Sequence, residues 1–142
     1  MAKYIHYGCK SFEKELFMGV VNAMLSTKPM GGLWASRTDV AYGWKEWCKS
    51  SDFRDCTEEN SFTFSLSNDA RVLYINSVND LEDLPELHNE FGICSWKLLD
   101  FEKLAKTYDA IEVNISGNPE LHFALYGWDC DSILIMNPDI IE

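Results

Sequence analysis

The segment SFTFSLSNDARVLYIN, residues 61–76, holds two stretches of alternating apolar and polar side chains, SFTFSL and ARVLYIN, joined by the polar SND. Alternation with a period of two, rich in aromatic and β-branched residues, puts one side of each stretch on a core, so both are predicted strands. Working outward, KYIHYG (residues 3–8) reads as a short aromatic strand ending at a glycine. GLWAS (32–36), YDAIEVN (108–114) and SILIMNP (132–138) read as further strands.

Between them lie helical signals. Ser11 is placed to cap a helix whose first turn carries Glu13 and Glu15, with Phe17, Val20, Val21, Met24 and Leu25 as its buried stripe and STKPMGG as its end. A second helix is expected from Thr38 or Asp39, with Val40, Trp44, Trp47 and Cys48 on one face and Tyr42 on the other. DLEDLPELHNEFGI suggests a short helix and loop, and DFEKLAKT a helix capped by Asp100. Strands interrupted irregularly by helices predict a single α+β domain over residues 1–142 with a largely antiparallel sheet.

With 142 residues, 46% of them hydrophobic, the chain is long enough to bury a core without metal or disulfide support. It lacks the run of about 20 apolar residues that crosses a bilayer, and MAKYIHYG lacks the parts of a secretory signal. The expected location is the cytoplasm, with no membrane partner. The five cysteines, Cys9, Cys48, Cys56, Cys94 and Cys130, form no CxxC pair, so neither a disulfide framework nor a metal site is expected. The net charge of −11 repels phosphate backbones and argues against a nucleic-acid partner, while suiting a protein that docks on a basic surface.

No phosphate loop, dinucleotide fingerprint, HExxH or GxSxG is present. The candidates must be assembled across the chain. His6 stands in the middle of the first strand, either as a core histidine or pointing into a cleft. In KPMGGLWAS two glycines allow the backbone to pass close to a ligand before Trp34 offers a planar face; the plainer alternative is a tight turn into a core strand. His122, within PELHFALYGW, is open between pocket and core.

The order His-x-Gly, helix, KPMGGLWAS and RTDVAYGW resembles the front half of the His-Tyr-Glu class of ADP-ribosyltransferase domains, the class of diphtheria toxin and the poly(ADP-ribose) polymerases. The resemblance implies a split, mostly antiparallel sheet with flanking helices, and NAD as the substrate. It implies that His6 and Gly8 hold the adenosine ribose, that Gly32, Trp34 and Ser36 form the strand beside nicotinamide, and that Tyr42 or Trp44 covers the ring. The strand aromatic is Trp34, where that family usually has tyrosine. FTFSLSNDARVLYIN looks like its central strands and LDFEKLAKTYDAIEVN like the helix and strand that precede its catalytic acid. The family's catalytic glutamate has no counterpart: in GWDCD followed by SILIMNP, the aligned residue is Asp131 or Ser132.

Cleavage of the nicotinamide–ribose bond develops positive charge on the sugar, so a nearby carboxylate is the minimum equipment. Asp131 is the first candidate, followed by Asp129 and Glu112, the last pointing away from the face of Ile111 and Val113. Two functions are therefore expected. One is NAD-dependent transfer of ADP-ribose to an intracellular protein or small-molecule acceptor. The other is a catalytically inactive acidic interaction protein that binds a basic protein partner.

Overall fold

The structure is a computed structural model and describes residues 2–23, 26–40, 42–51, 58–87, 97–126, 128 and 130–142. All six predicted strands form: β1 (Tyr4–Tyr7), β2 (Leu33–Arg37), β3 (Ser61–Phe64), β4 (Val72–Ile75), β5 (Ala110–Val113) and β6 (Ser132–Ile135). They join in one six-stranded sheet of order β3-β1-β2-β6-β5-β4. Every neighbouring pair is antiparallel except β4 and β5, which run parallel. With three short helices among the described residues, α1 (Trp44–Ser51), α2 (Phe101–Leu104) and α3 (Pro119–Ala124), the fold is α+β.

Strand alternation divides the core in two. On one face Ile111, Val113 and Leu134 pack with Phe101 and Leu104 of α2 and Leu121 of α3. Trp34 joins this face and meets Trp44 of α1, so all three helices lie on the same side of the sheet. On the other face Ala110, Ile133 and Ile135 pack with Tyr4, Phe64 and Ile140 of the C-terminal turn. The segments SFTFSL and ARVLYIN do not form a hairpin. β3 and β4 occupy opposite edges of the sheet, because Ser65 and Ser67 pair with the C-terminal Glu142 and Ile140.

One helical expectation fails and another is met with a later start. Among its described residues the stretch from Ser11 contains only a 3-10 turn at Lys14–Leu16, whose cap position is Glu13, and then runs extended so that Val21 bridges Met30. Gly19, Val20 and Val21 are poor helix formers, and Asn22 is more valuable as a cap elsewhere. Its side-chain oxygen accepts from the amide of Phe101 while its side-chain nitrogen donates to Asp100, closing the start of α2. The predicted stripe residues Met24 and Leu25 lie outside the described residues.

The second helix begins at Trp44, not at Thr38 or Asp39. Its first amide donates 2.9 Å to Ser36 Oγ, so a residue of β2 acts as the cap and postpones the helix. Asp100 does cap α2, accepting from the amide of Lys103. Among the described residues no helix is long and apolar enough to cross a membrane. Cys48 and Cys130 are buried thiols and Cys9 is exposed; Cys56 and Cys94 lie outside the described residues.

Candidate functional site

The residues singled out in the sequence are distributed over both faces of the sheet. His6 pairs with Phe62 across β1 and β3, and their rings lie 5.3 Å apart on the Tyr4 face. Trp34 points to the opposite face, where its indole meets Trp128 edge-on at 4.7 Å and Trp44 at 6.2 Å, with the Lys28 ammonium 5.9 Å from the ring. His6 reaches Trp34 only at its backbone, with Nδ1 2.6 Å from the Trp34 carbonyl oxygen. The imidazole and the indole therefore lie on opposite faces of the sheet.

The double glycine is explained by close packing within the chain. Gly31 and Gly32 have φ of 79° and 74°, which suits glycine. A Cβ on Gly31 would stand 2.3 Å from the Gly19 carbonyl oxygen, and one on Gly32 would stand 2.5 Å from Leu134 Cδ1. Gly8, also at positive φ, ends β1 by donating its amide to Asn60 O.

Ser36, Asp131 and Ser132 are tied into one backbone clasp. Ser36 Oγ donates to the Asp131 carbonyl while accepting from the Trp44 amide. The Asp131 carboxylate accepts from the amides of Ile115 at 2.6 Å and Ser116 at 2.9 Å, and its own amide donates to Tyr42 O. Ser132 is buried and its hydroxyl donates to Cys130 O. Asp129 lies outside the described residues. The Trp44 indole N–H is buried without a hydrogen-bond partner.

Glu112, the remaining acid, is 2% exposed on β5, the fifth of six strands in the sheet order. It accepts from Tyr4 Oη at 2.7 Å and Arg37 Nε at 2.8 Å, so its charge is paired and hydrogen-bonded as burial requires. Burial and the bond to Glu112 push the Tyr4 phenol well above its usual range. The same carboxylate raises the Arg37 guanidinium, against the opposing effect of burial. A second pair joins Asp109 to Arg71. Burial opposes charge on Asp109, but hydrogen bonds from the Arg71 side chain and amide and from Asn137 outweigh it and hold the carboxyl below its usual range.

Besides a concavity of about 320 Å³ lined by Ile5, Tyr7, Ser36, Arg37, Lys45 and Glu46, two larger ones lie among the described residues. One, of about 520 Å³, opens just past Gly8 and is walled by Cys9, Lys10, Phe12, Phe17, Gly31 and Gly32. Beside it stand exposed apolar residues, a ribbon of which only Val21 belongs to the expected buried helical stripe. Leu16 is 71% exposed, Met18 70%, Val21 52% and Met30 63%. Val21 and Met30 stand opposite each other in their bridge, and Met18 O accepts from Gly32 N, so the exposed residues lie on two hydrogen-bonded segments. Glu13 and Glu15, both exposed, lead into it. A sequence signal was present: KELFMGVV is apolar with no strong helix former after Met18.

The other concavity, about 410 Å³, lies between Tyr42 and Trp47 on one side and Ser116, Asn118, Pro119 and His122 on the other. His122 is thereby settled as an exposed wall residue. Among the described residues no cluster of three metal-ligating side chains occurs. No family model matches the chain, and neither a curated protein nor a solved structure matches it.

Proposed function

We propose that this chain is an acidic protein-interaction module that docks a basic, amphipathic segment of a partner protein on the ribbon formed by Leu16, Met18, Val21 and Met30. The observation that carries this reading is the exposure of those four apolar side chains on two hydrogen-bonded segments. Single exposed hydrophobics need no explanation, but four gathered on neighbouring segments do. Two of its members are methionines, whose unbranched, polarizable side chains repack around a guest. The charge of −11 and the neighbouring Glu13 and Glu15 select a basic guest and steer its approach. An apolar helix face rimmed by lysine fits such a groove.

The test is titration with a synthetic amphipathic helix of leucine and lysine, against its counterpart with glutamate for lysine. Binding of the basic peptide alone, weakened by salt and lost in the Met18→Ser/Met30→Ser variant, is expected. Equal binding to that variant would sink the reading.

A second reading is favoured by one observation, the 520 Å³ pocket that begins at Cys9 directly after His6-Tyr7-Gly8 and is closed by Gly31 and Gly32. In this reading the pocket takes NAD, and ADP-ribose passes to a protein or small-molecule acceptor. NAD should then raise the melting temperature with a concentration dependence set by its dissociation constant, His6→Ala should abolish the shift, and mass spectrometry of a lysate should find added ADP-ribose. The engagement of Asp131 with two backbone amides and of Glu112 with Arg37 favours the interaction reading.

A further inference from the structure

The 410 Å³ cleft between the start of α1 and the turn after β5 lies on elements that the ribbon does not use. Its two walls are locked together by one residue. Asp131 accepts from the amides of Ile115 and Ser116 on one wall and donates its amide to Tyr42 O on the other. Asn118 caps α3 through Leu121 N and donates to Asn76 O, holding the Asn118–Pro119 edge in place. A cleft held in this way loses little entropy on binding.

Its lining restricts the guest. The walls are helix, turn and side chain, with no strand edge among the described lining residues to pair with a β-strand. Aromatic faces from Tyr42 and Trp47, with Pro119 opposite, suit the pyrrolidine rings of a polyproline II segment. Such a segment carries carbonyl acceptors and few N–H donors, and exposed Ser116 of the lining has a hydroxyl of a kind that donates. No lysine or arginine is among the described lining residues, and Glu120 is exposed beside Pro119 on the first turn of α3.

We infer that this cleft docks an extended proline-rich peptide segment carrying basic residues, by stacking proline rings on Tyr42 and Trp47. The inference shares only the chain's negative charge with the ribbon reading. It is tested by fluorescence and NMR titration of the full chain with a synthetic proline-rich peptide flanked by arginines. Controls replace proline by glycine, or arginine by glutamate.

Both controls should bind at least about tenfold more weakly than the parent peptide. Trp47→Ala should weaken the parent peptide by a similar factor. Because Trp47 is half-buried and its loss could unfold α1, Glu120→Lys at an exposed site serves as the second variant; it should weaken binding and remove most of its salt dependence. The Met18→Ser/Met30→Ser variant should bind the proline peptide unchanged, which separates this site from the ribbon. Absence of binding to the wild-type chain overturns the inference. So does undiminished binding to Glu120→Lys and to a folded Trp47→Ala, or equal binding of the glycine control.

Discussion

The Glu112 carboxylate lies 2.8 Å from Arg37 Nε, across the intervening strand β6, and the two residues are 75 positions apart in the chain. Glu112 is almost wholly buried, whereas the Arg37 side chain is 35% exposed. The pair therefore stands at the rim of the sheet core, with Tyr4 completing the acceptor's shell and the guanidinium 5.8 Å from the Tyr4 ring.

Removing one partner leaves the other uncompensated. Arg37→Met strands a buried carboxylate and should destabilise by about 2–4 kcal/mol, the lower part of the range for broken buried pairs because Arg37 is partly solvated. The double variant Arg37→Met/Glu112→Leu should recover most of that loss. Urea unfolding of the two variants checks this, and equal destabilisation of single and double would count against the pairing.

Tyr4 provides an optical readout of the same cluster. Its phenol favours the neutral form in the folded chain, so its contribution to stability is fully present below the unfolded value near 10 and is lost as pH rises through the raised folded value. Alkaline titration of the six tyrosines by phenolate absorbance should leave at least one un-ionised until the protein unfolds. Glu112→Gln should bring that titration down in pH.

Asp109 predicts behaviour at the acid end. Its folded value is lowered, so its stabilisation is present above the unfolded value near 3.9 and is lost as pH falls through the folded one. Thermal unfolding of Asp109→Asn should show a shallower fall in stability below about pH 4 than the wild type. Parallel curves would contradict the assignment.

Asp131 acts on the 115–116 turn in this geometry. Asp131→Asn weakens two hydrogen bonds accepted by a charged group and should cost about 1–3 kcal/mol. Amide exchange at Ile115 and Ser116 should quicken. A variant that lost ADP-ribosyl transfer with these amides still protected would move Asp131 from a structural to a chemical role.

The ribbon side chains are exposed and touch little. Met18→Ser with Met30→Ser should change stability by no more than about 0.5 kcal/mol while abolishing capture of the basic amphipathic peptide. A large drop in melting temperature would mean that the ribbon is covered by the chain itself.

How much of this was legible beforehand depends on how local the signal is. Alternation along SFTFSL, ARVLYIN, YDAIEVN and SILIMNP specifies strands because side-chain direction in extended backbone is set residue by residue. Asp100 before FEKL specifies a cap for the same reason. The stretch from Ser11 misled because its apolar spacing also fits a helix, and that spacing cannot register the pairing of Val21 with Met30 or the loan of Asn22 to α2. Likewise KPMGG signals a positive-φ turn, but whether the space above it holds a ligand or Leu134 is a matter of what packs there.

By itself, then, the chain's order of residues decided six strands, an acidic surface and an α+β class, all consequences of short-range periodicity and composition. Folding alone decided that β3 and β4 part to opposite edges, that His6 and Trp34 turn to opposite faces, and that Glu112 finds Tyr4 108 positions away. Those outcomes arise from burial and hydrogen bonding between segments far apart in sequence, where a paired charge and a satisfied amide outweigh any local preference.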